Sequence, residues 1–376
     1  MKYAKKIKKH FEYISNKDYL QDCASDLSTL KCAVALLEGA CCHFFTGESP
    51  LKRVNELVKV IAPIFPRAEK IEGDEQINLY GNALTALCAY KKCTALNEAD
   101  ELIDACVTPL LNALFNQVDI LIEQNSPLPA KSLSALNGLA DFYALTHEND
   151  VALLFNKIIS RLNELNFNNS EDNCYDYLCF ISGALKLAKM TNNSAVYEPI
   201  ARLFDNLCVK AQSLNYGVAI SFINKKECSG SATAKSLEVA LEFYALLQDE
   251  RYISLARRIW FNGLQFCQRE NGQVGADTFT TEDSPYLKVS RYEAKQIVTP
   301  LYGIALRCYA ISKDLFEERG GLFKDRKGRY FIGDRMFARD ESEFFGRDLI
   351  EIPTLTAFDS QTAMQLNFKL TFKDEK

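Results

Sequence analysis

Phe142-Tyr143-Ala144-Leu145 returns letter for letter as Phe243-Tyr244-Ala245-Leu246, about a hundred residues further on. Comparable apolar helix ends stand at Phe44-Phe45, Ala89-Tyr90, Leu187-Ala188 and Tyr309-Ala310. The marks Phe45, Tyr90, Tyr143, Leu187, Tyr244 and Tyr309 are spaced by 45, 53, 44, 57 and 65 residues. A period near fifty is too long for one helix and suits a helix–turn–helix unit. Six such units can close into a ring around a central cavity.

Working outward from those marks, apolar residues at i, i+3, i+4 and i+7 predict twelve helices. Their spans are 3–15, 27–46, 51–63, 75–92, 97–124, 132–147, 150–164, 174–191, 194–214, 231–248, 251–269 and 291–312. The helices that end at the marks are rich in small residues, as in Ala135-Leu136-Asn137-Gly138-Leu139 and Ile181-Ser182-Gly183-Ala184-Leu185. Small residues all round suit helices packed on two sides. Their partners, such as Tyr252 to Phe266 with Arg257 and Arg258, carry one apolar stripe and a charged face. The division predicts six inner helices within six outer ones, with helix 3–15 closing the circle. Turn and cap signals support the boundaries: Ser132 before Leu133, Pro50 in a first turn, Asn192-Asn193 and Asp249-Glu250 between partners.

The fold class expected is therefore mainly α, an (α/α)6 toroid over residues 1–314. The period changes after Asp314. Leu322-Phe323 and Tyr330-Phe331-Ile332 flank a turn at Asp325-Arg326-Lys327-Gly328, and Leu366, Phe368, Leu370 and Phe372 alternate with polar residues. A small β-containing extension over 315–376 is expected.

The 376 residues carry a net charge of −5, with 48% hydrophobic and 25% charged residues, which gives no electrostatic ground for nucleic acid or an anionic membrane as partner. No apolar run approaches the roughly 20 residues of a spanning helix, and Lys8-Lys9-His10 interrupts any signal-peptide reading of the start. A cytosolic protein is expected. Thirteen cysteines, an odd number, read as reduced structural thiols: Cys32, Cys88, Cys106, Cys179, Cys208, Cys267 and Cys308 sit on apolar helical faces. In Cys41-Cys42-His43, neighbours on a helix point about 100° apart and cannot converge on one ion, so these read as core and boundary residues. His10 and His147 stand alone. No Ser/His/Asp signature, Walker loop, dinucleotide fingerprint or Asp-rich prenyl-diphosphate motif is present.

Two long connections, 214–230 and 268–290, are expected to line a mouth. The second is polar and turn-rich: Arg269, Asp277, Glu282 and Asp283 stand there with Tyr286, and Tyr292 and Glu293 follow. Sugars are bound by aromatic faces, carboxylates and amides, and glycoside hydrolysis takes two carboxyl groups about 5–9.5 Å apart. Glu293, at the entrance of an inner helix where the dipole favours its ionised form, is the first catalytic candidate and Asp277 the second. Glu227, Cys228, Arg269, Glu282, Asp283, Tyr286 and Tyr292 are the candidate substrate-binding residues.

The stretch from Lys226 to Leu264, with Glu227-Cys228-Ser229 before an inner helix, Asp249-Glu250-Arg251-Tyr252 in a turn and Asn262-Gly263-Leu264 ending an outer helix, resembles the β-L-arabinofuranosidase-type glycoside hydrolases of family 127. Tyr292-Glu293-Ala294-Lys295-Gln296-Ile297-Val298-Thr299, Gly81-Asn82-Ala83-Leu84 and Gly138-Leu139-Ala140-Asp141 fit the same family, so that the resemblance spans about 25–312. It implies an (α/α)6 barrel, a zinc ion held by Glu and Cys, and a thiolate of a Cys-Cys pair as nucleophile. The chain departs from that pattern. Cys228 matches, but the Glu position falls on Lys226, with Glu227 one residue off, and the Cys pair falls on Ile297-Val298. Neither aliphatic residue can ligate or attack. The expectation is thus a protein acting on or binding a sugar or glycan without metal or cofactor. Its alternative is a non-catalytic carbohydrate-binding or scaffold protein. Family members carry larger β domains after the barrel, so either an oligomer or partner chain completes the site here, or the cavity stays more open.

Overall fold

The computed structural model describes residues 25–42, 50–66, 71–124, 129–162, 173–212, 216–223 and 227–264 as continuous runs, and short strands between 288 and 351. Among the described residues the chain runs as helix pairs: α1 (Asp26–Cys42) and α2 (Leu51–Ile64), α3 (Asp74–Thr94) and α4 (Asp100–Glu123). A single turn, α5 (Ala130–Leu133), leads into α6 (Leu136–Thr146) and α7 (Asn149–Ile159), followed by α8 (Cys174–Met190) and α9 (Tyr197–Ala211). Next come α10 (Gly230–Leu247) and α11 (Glu250–Arg258), the latter continued by a π-helical turn, Ile259–Leu264. Of the helix expected at 3–15 only Glu12 is described; the helix expected at 291–312 and the boundary at 314 lie outside the described residues.

α1, α3, α6, α8 and α10 pack each on the next, and each of α2, α4, α7, α9 and α11 lies against the inner helix before it. Sequence explains the division. α7 buries one stripe (Val151, Leu154, Phe155 and Ile158), whereas every residue of α10 from Gly230 to Leu241 is buried. A helix with neighbours on two flanks has no solvent face to leave polar.

The inner helices approach closely enough to require glycine at three contacts. A Cβ at Gly138 of α6 would fall 2.2 Å from the Gly81 carbonyl oxygen of α3. One at Gly81 would fall 2.5 Å from the Ala135 Cα, and one at Gly183 of α8 would fall 2.5 Å from the Asn137 backbone nitrogen. Aromatic rings fill the layer behind: Phe243 of α10 stacks between Phe204 of α9 (5.5 Å) and Tyr252 of α11 (4.9 Å).

Inner helices end at short turns and begin after long connections. Ala95, His147 and Gln248 close α3, α6 and α10 in the left-handed conformation (φ 56°, 56° and 53°), each amide returning a bond to the carbonyl four residues back. Two inner-helix entries, of α8 and α10, use side-chain caps, Asn173 accepting from the Tyr175 amide and Ser229 from Ala232, and the outer helix α11 uses another, Asp249 accepting from Arg251. The span expected as one helix over 132–147 is broken at Ser134-Ala135, and Ser132 does not cap it. Its hydroxyl instead donates to Asp74 Oδ1 at 2.6 Å.

Two further expectations are corrected. By length and composition α4 is apolar enough to cross a membrane. The fold uses it as an outer helix, burying Ile103, Cys106, Leu110, Leu114 and Val118 and pairing Asp119 with Lys157 of α7. Arg257, placed by sequence on a charged face, is buried, while Arg258 turns its guanidinium to the Tyr216 hydroxyl at 3.0 Å.

Strands lead into α10. β1 (Val218–Ala219) pairs antiparallel with β2 (Glu227–Ser229), which pairs in parallel with β3 (Lys288–Val289), setting Glu227 opposite Lys288 and Cys228 opposite Val289. The two long connections therefore run backbone to backbone at the entrance of α10. A separate antiparallel sheet joins β4 (Leu322–Lys324), β5 (Tyr330–Ile332), β6 (Arg335–Arg339) and β7 (Leu349–Glu351) in chain order. The strand expected at 366–372 lies outside the described residues.

Two substitutions test this packing. Gly138→Ala drives a methyl into a backbone carbonyl and is expected to cost about 2 kcal/mol, as overpacked cores do. Ala95→Gly relieves a left-handed alanine on an exposed turn and is expected to gain about 1 kcal/mol. Denaturant titration of both variants measures the two effects, and equal midpoints for Gly138→Ala and wild type would contradict the close approach.

Candidate active site

Four of the described inner helices carry a polar stripe: Asn78, Asn82 and Thr85 on α3, Asn137 and Asp141 on α6, Ser182 and Lys186 on α8, and Lys235, Glu238 and Glu242 on α10; α1 contributes Glu38. The spacings of three, four and seven residues put each set on one face. With both flanks of the inner helices occupied by neighbours, that face turns to the ring axis.

Near the inner-helix entrances, Asn78 Nδ2 donates to Ser134 Oγ (2.8 Å) and Asp176 Oδ1 (3.1 Å), and its oxygen accepts from Asn82 at 3.1 Å. Deeper, a cavity of about 70 Å³ is lined by Glu38, Cys41, Cys42, Thr85, Ala89, Lys92, Cys93, Asn137, Asp141, Lys186, Lys235 and Glu238. Asn137 is its hub. Its oxygen accepts from Lys186 at 3.0 Å and Lys235 at 3.5 Å, and its amide donates to Thr85 Oγ1 at 3.2 Å. Asp141 lies between Lys186 (3.3 Å) and Lys92 (3.4 Å). Lys235 Nζ meets Glu238 Oε2 at 3.0 Å, with both side chains 3% exposed, and Ser182 Oγ donates to Glu242 at 3.3 Å.

Burial dominates the proton affinities here. It raises the Glu38 carboxyl to about 7; Lys235 and Lys186 pull against it, while Glu238 and Asp141 add to it. Glu242 is also pushed up to about 7, by burial first and by Glu238 next, against Lys186, Lys235 and the Ser182 hydroxyl. The ammonium of Lys235 is opposed by burial, but Glu238, the Cys179 sulfur, Glu38 and Glu242 outweigh it and hold its pKa above the ordinary lysine value. Lys186 is raised likewise, chiefly by Asp141. The cavity thus joins one carboxyl that carries a proton near neutrality, Glu38, to Asp141 and Glu238 paired with lysines, the combination general acid–base chemistry requires. Thiolate chemistry is disfavoured at Cys179, whose thiol burial pushes up to about 12.

None of these axial residues was among the sequence candidates. Their signal was present: one polar stripe on helices that are otherwise apolar all round. Of the residues read from sequence, Glu227 and Cys228 lie on β2, described by its backbone alone. Arg269, Asp277, Glu282, Asp283, Tyr286, Tyr292 and Glu293 lie outside the described residues, although β3 follows Tyr286 by two positions. Cys41 and Cys42 are buried, as expected of core residues, and also face the cavity. Among the described residues no group of three or more His, Cys, Asp or Glu side chains is arranged to hold a metal ion. At the resembled zinc position Lys226 offers an ammonium where a carboxylate is required, so the donor set does not fit.

No family model matches the sequence, and no curated protein does. Solved structures do match in fold. A GH127 β-arabinofuranosidase superposes with a TM-score of 0.51 at 10% identity, over 88% of this chain and 60% of its own. A GH127 β-L-arabinofuranosidase from Geobacillus stearothermophilus T6 gives 0.50 at 11%, over 92% and 65%. An unsaturated glucuronyl hydrolase specific for heparin gives 0.55 at 12%, over 83% and 98%. The chain thus spans less than two thirds of the GH127 structures it matches. At such identities the likeness is one of fold alone: the protein is an (α/α)6 toroid, the fold these solved glycoside hydrolases share.

The buried carboxyls make stability depend on pH. Glu38 binds its proton more tightly folded (about 7) than at its ordinary 4.5. Its contribution is therefore complete below pH 4.5 and lost as pH rises through 7, on the order of 3 kcal/mol for such a shift. Melting temperatures are expected to fall from pH 5 to pH 8, and Glu38→Gln to flatten that fall. An unchanged slope in the variant would exclude Glu38 as the titrating group. Breaking the Lys235–Glu238 pair with Lys235→Met, which strands a buried carboxylate, is expected to cost about 3–5 kcal/mol in a denaturant titration.

Proposed function

We propose that this protein acts on or binds a neutral sugar or glycan in the central cavity of its toroid, using carboxyl groups without a metal where it hydrolyses. The observation that carries the reading is the convergence of polar stripes on the axis, where an apolar filling would have been cheaper. Ammonium donors, carboxylate acceptors, Asn137 and Thr85 face one small space. Hydroxyl groups, which donate and accept at once, satisfy such a mixed lining better than a purely anionic or cationic group. A cavity of about 70 Å³ holds about five waters, or the hydroxyl-bearing edge of one sugar unit, with the remainder of a glycan outside it. The fold shared with solved glycoside hydrolases supports the same class of ligand.

In this reading Glu38 and Glu242 are proton donors near neutral pH, and Asp277, on the long connection, and Glu293, at the entrance of the expected inner helix, are the catalytic carboxyl pair. The second reading, a carbohydrate-binding protein without turnover, is favoured by Ile297-Val298 at the resembled nucleophile pair and by the lysines that neutralise Asp141 and Glu238. Calorimetric titration with a panel of neutral and acidic oligosaccharides, paired with a reducing-sugar assay, separates the two. Neutral sugars are expected to bind, and Asn137→Ala, which removes the hub amide, to weaken them at least tenfold. If sugar is released, Glu293→Gln and Asp277→Asn are expected to lower turnover at least a hundredfold with binding retained. Binding without release supports the second reading. Failure of every sugar to bind would refute both.

A further inference from the structure

α1 and α3 are neighbouring inner helices, and Cys41 and Cys93 stand at the penultimate position of each, at the end where the turns are short. Their thiols face one another, with Cys93 Sγ donating to the Cys41 carbonyl at 3.5 Å. Both line the axial cavity, so a small reagent entering that space meets them together. Cys41 is buried and Cys93 half-buried. A second neighbouring pair, Cys88 of α3 and Cys106 of α4, is fully buried and does not line the cavity.

We propose that Cys41 and Cys93 form a redox-sensitive pair which closes to a disulfide on exchange with a low-molecular-weight disulfide such as oxidised glutathione. The more accessible Cys93, as thiolate, attacks one glutathione sulfur; the glutathione S–S bond breaks and one glutathione thiolate leaves. Cys41, deprotonated in turn, attacks the Cys93 sulfur of the mixed disulfide, and the second glutathione leaves. Two protein thiols are oxidised to one disulfide, oxidised glutathione is reduced to two thiols, and the protons lost by the cysteines are taken up by the leaving thiolates. Burial and the neighbouring Cys93 hold the Cys41 thiol well above its ordinary pKa, so Cys41 is the poorer attacker and reacts second, where its position beside the Cys93 mixed disulfide makes the step intramolecular. The bond would join two inner helices across the whole first hairpin, whose loop is long enough for a marked restriction of the unfolded chain.

Incubating the full chain with oxidised glutathione, alkylating the remaining thiols and mapping peptides without reduction tests this on the wild-type protein. A linked Cys41–Cys93 peptide is expected, with Cys88 and Cys106 alkylated after unfolding. The oxidised form is expected to melt about 5 °C higher than the reduced form, and reductant to reverse the shift. Cys93→Ser is expected to abolish the link and the shift, and Cys42→Ser to keep both. Recovery of Cys41 and Cys93 as free thiols, a stable glutathione adduct on Cys93 without the link, or a link between other cysteines would overturn the proposal, whether or not the variants fold.

Discussion

The structure depends on backbone-to-backbone approach among the inner helices. Gly81, Gly138 and Gly183 let α3, α6 and α8 meet with no side chain between them. Helices drawn together in this way have both flanks covered by neighbours and the back covered by an outer partner. One narrow strip of each remains, and it points to the axis. Whatever residues occupy that strip are brought together whether they attract or repel.

That constraint explains why the axis is charged at a cost. Burying Glu38, Lys235 and Glu238 and half-burying Asp141, Lys186 and Glu242 forfeits hydration that pairing only partly restores. The arrangement limits the loss by alternation. Asp141 is held between two lysines, Lys235 answers Glu238, and Asn137 accepts from two ammonium groups while its own amide is satisfied by Thr85. The two carboxyls without a close lysine partner, Glu38 and Glu242, respond by keeping their protons toward neutrality. The same imbalance that lowers stability at high pH leaves a proton donor, Glu38, in the cavity and a second, Glu242, on the neighbouring turn of α10 from Glu238, so the stability of the fold and the chemistry of the site rest on one set of groups.

The outer layer carries little of this. Its helices bury single apolar stripes and stack aromatic rings such as Phe204 and Tyr252 on Phe243. It also ties the site's entrance to the scaffold, because Arg258 at the end of α11 reaches Tyr216 beside β1. Through β2 and β3 the two long connections share a sheet at the start of α10, where the backbone of Glu227 and Cys228 is fixed.

The repeat of Phe-Tyr-Ala-Leu, the small-residue helices and the single-stripe partners were sufficient to read paired helices in two layers, because helical periodicity and packing on one or two sides are local properties of sequence. Ser132 shows the limit of that reading: a residue type suited to capping was claimed by Asp74, a helix away. Arg257 shows it again, since its charge alone placed it outside. The axial site was written in the sequence as a polar stripe on four inner helices, yet each stripe looks like an ordinary helix face. Only the ring decides that Glu38 of α1 and Glu238 of α10, two hundred residues apart, look into one cavity. The proximity and burial that shift the proton affinity of Glu38 are properties of the closed arrangement, because electrostatic coupling depends on distance and burial and neither is a function of residue order.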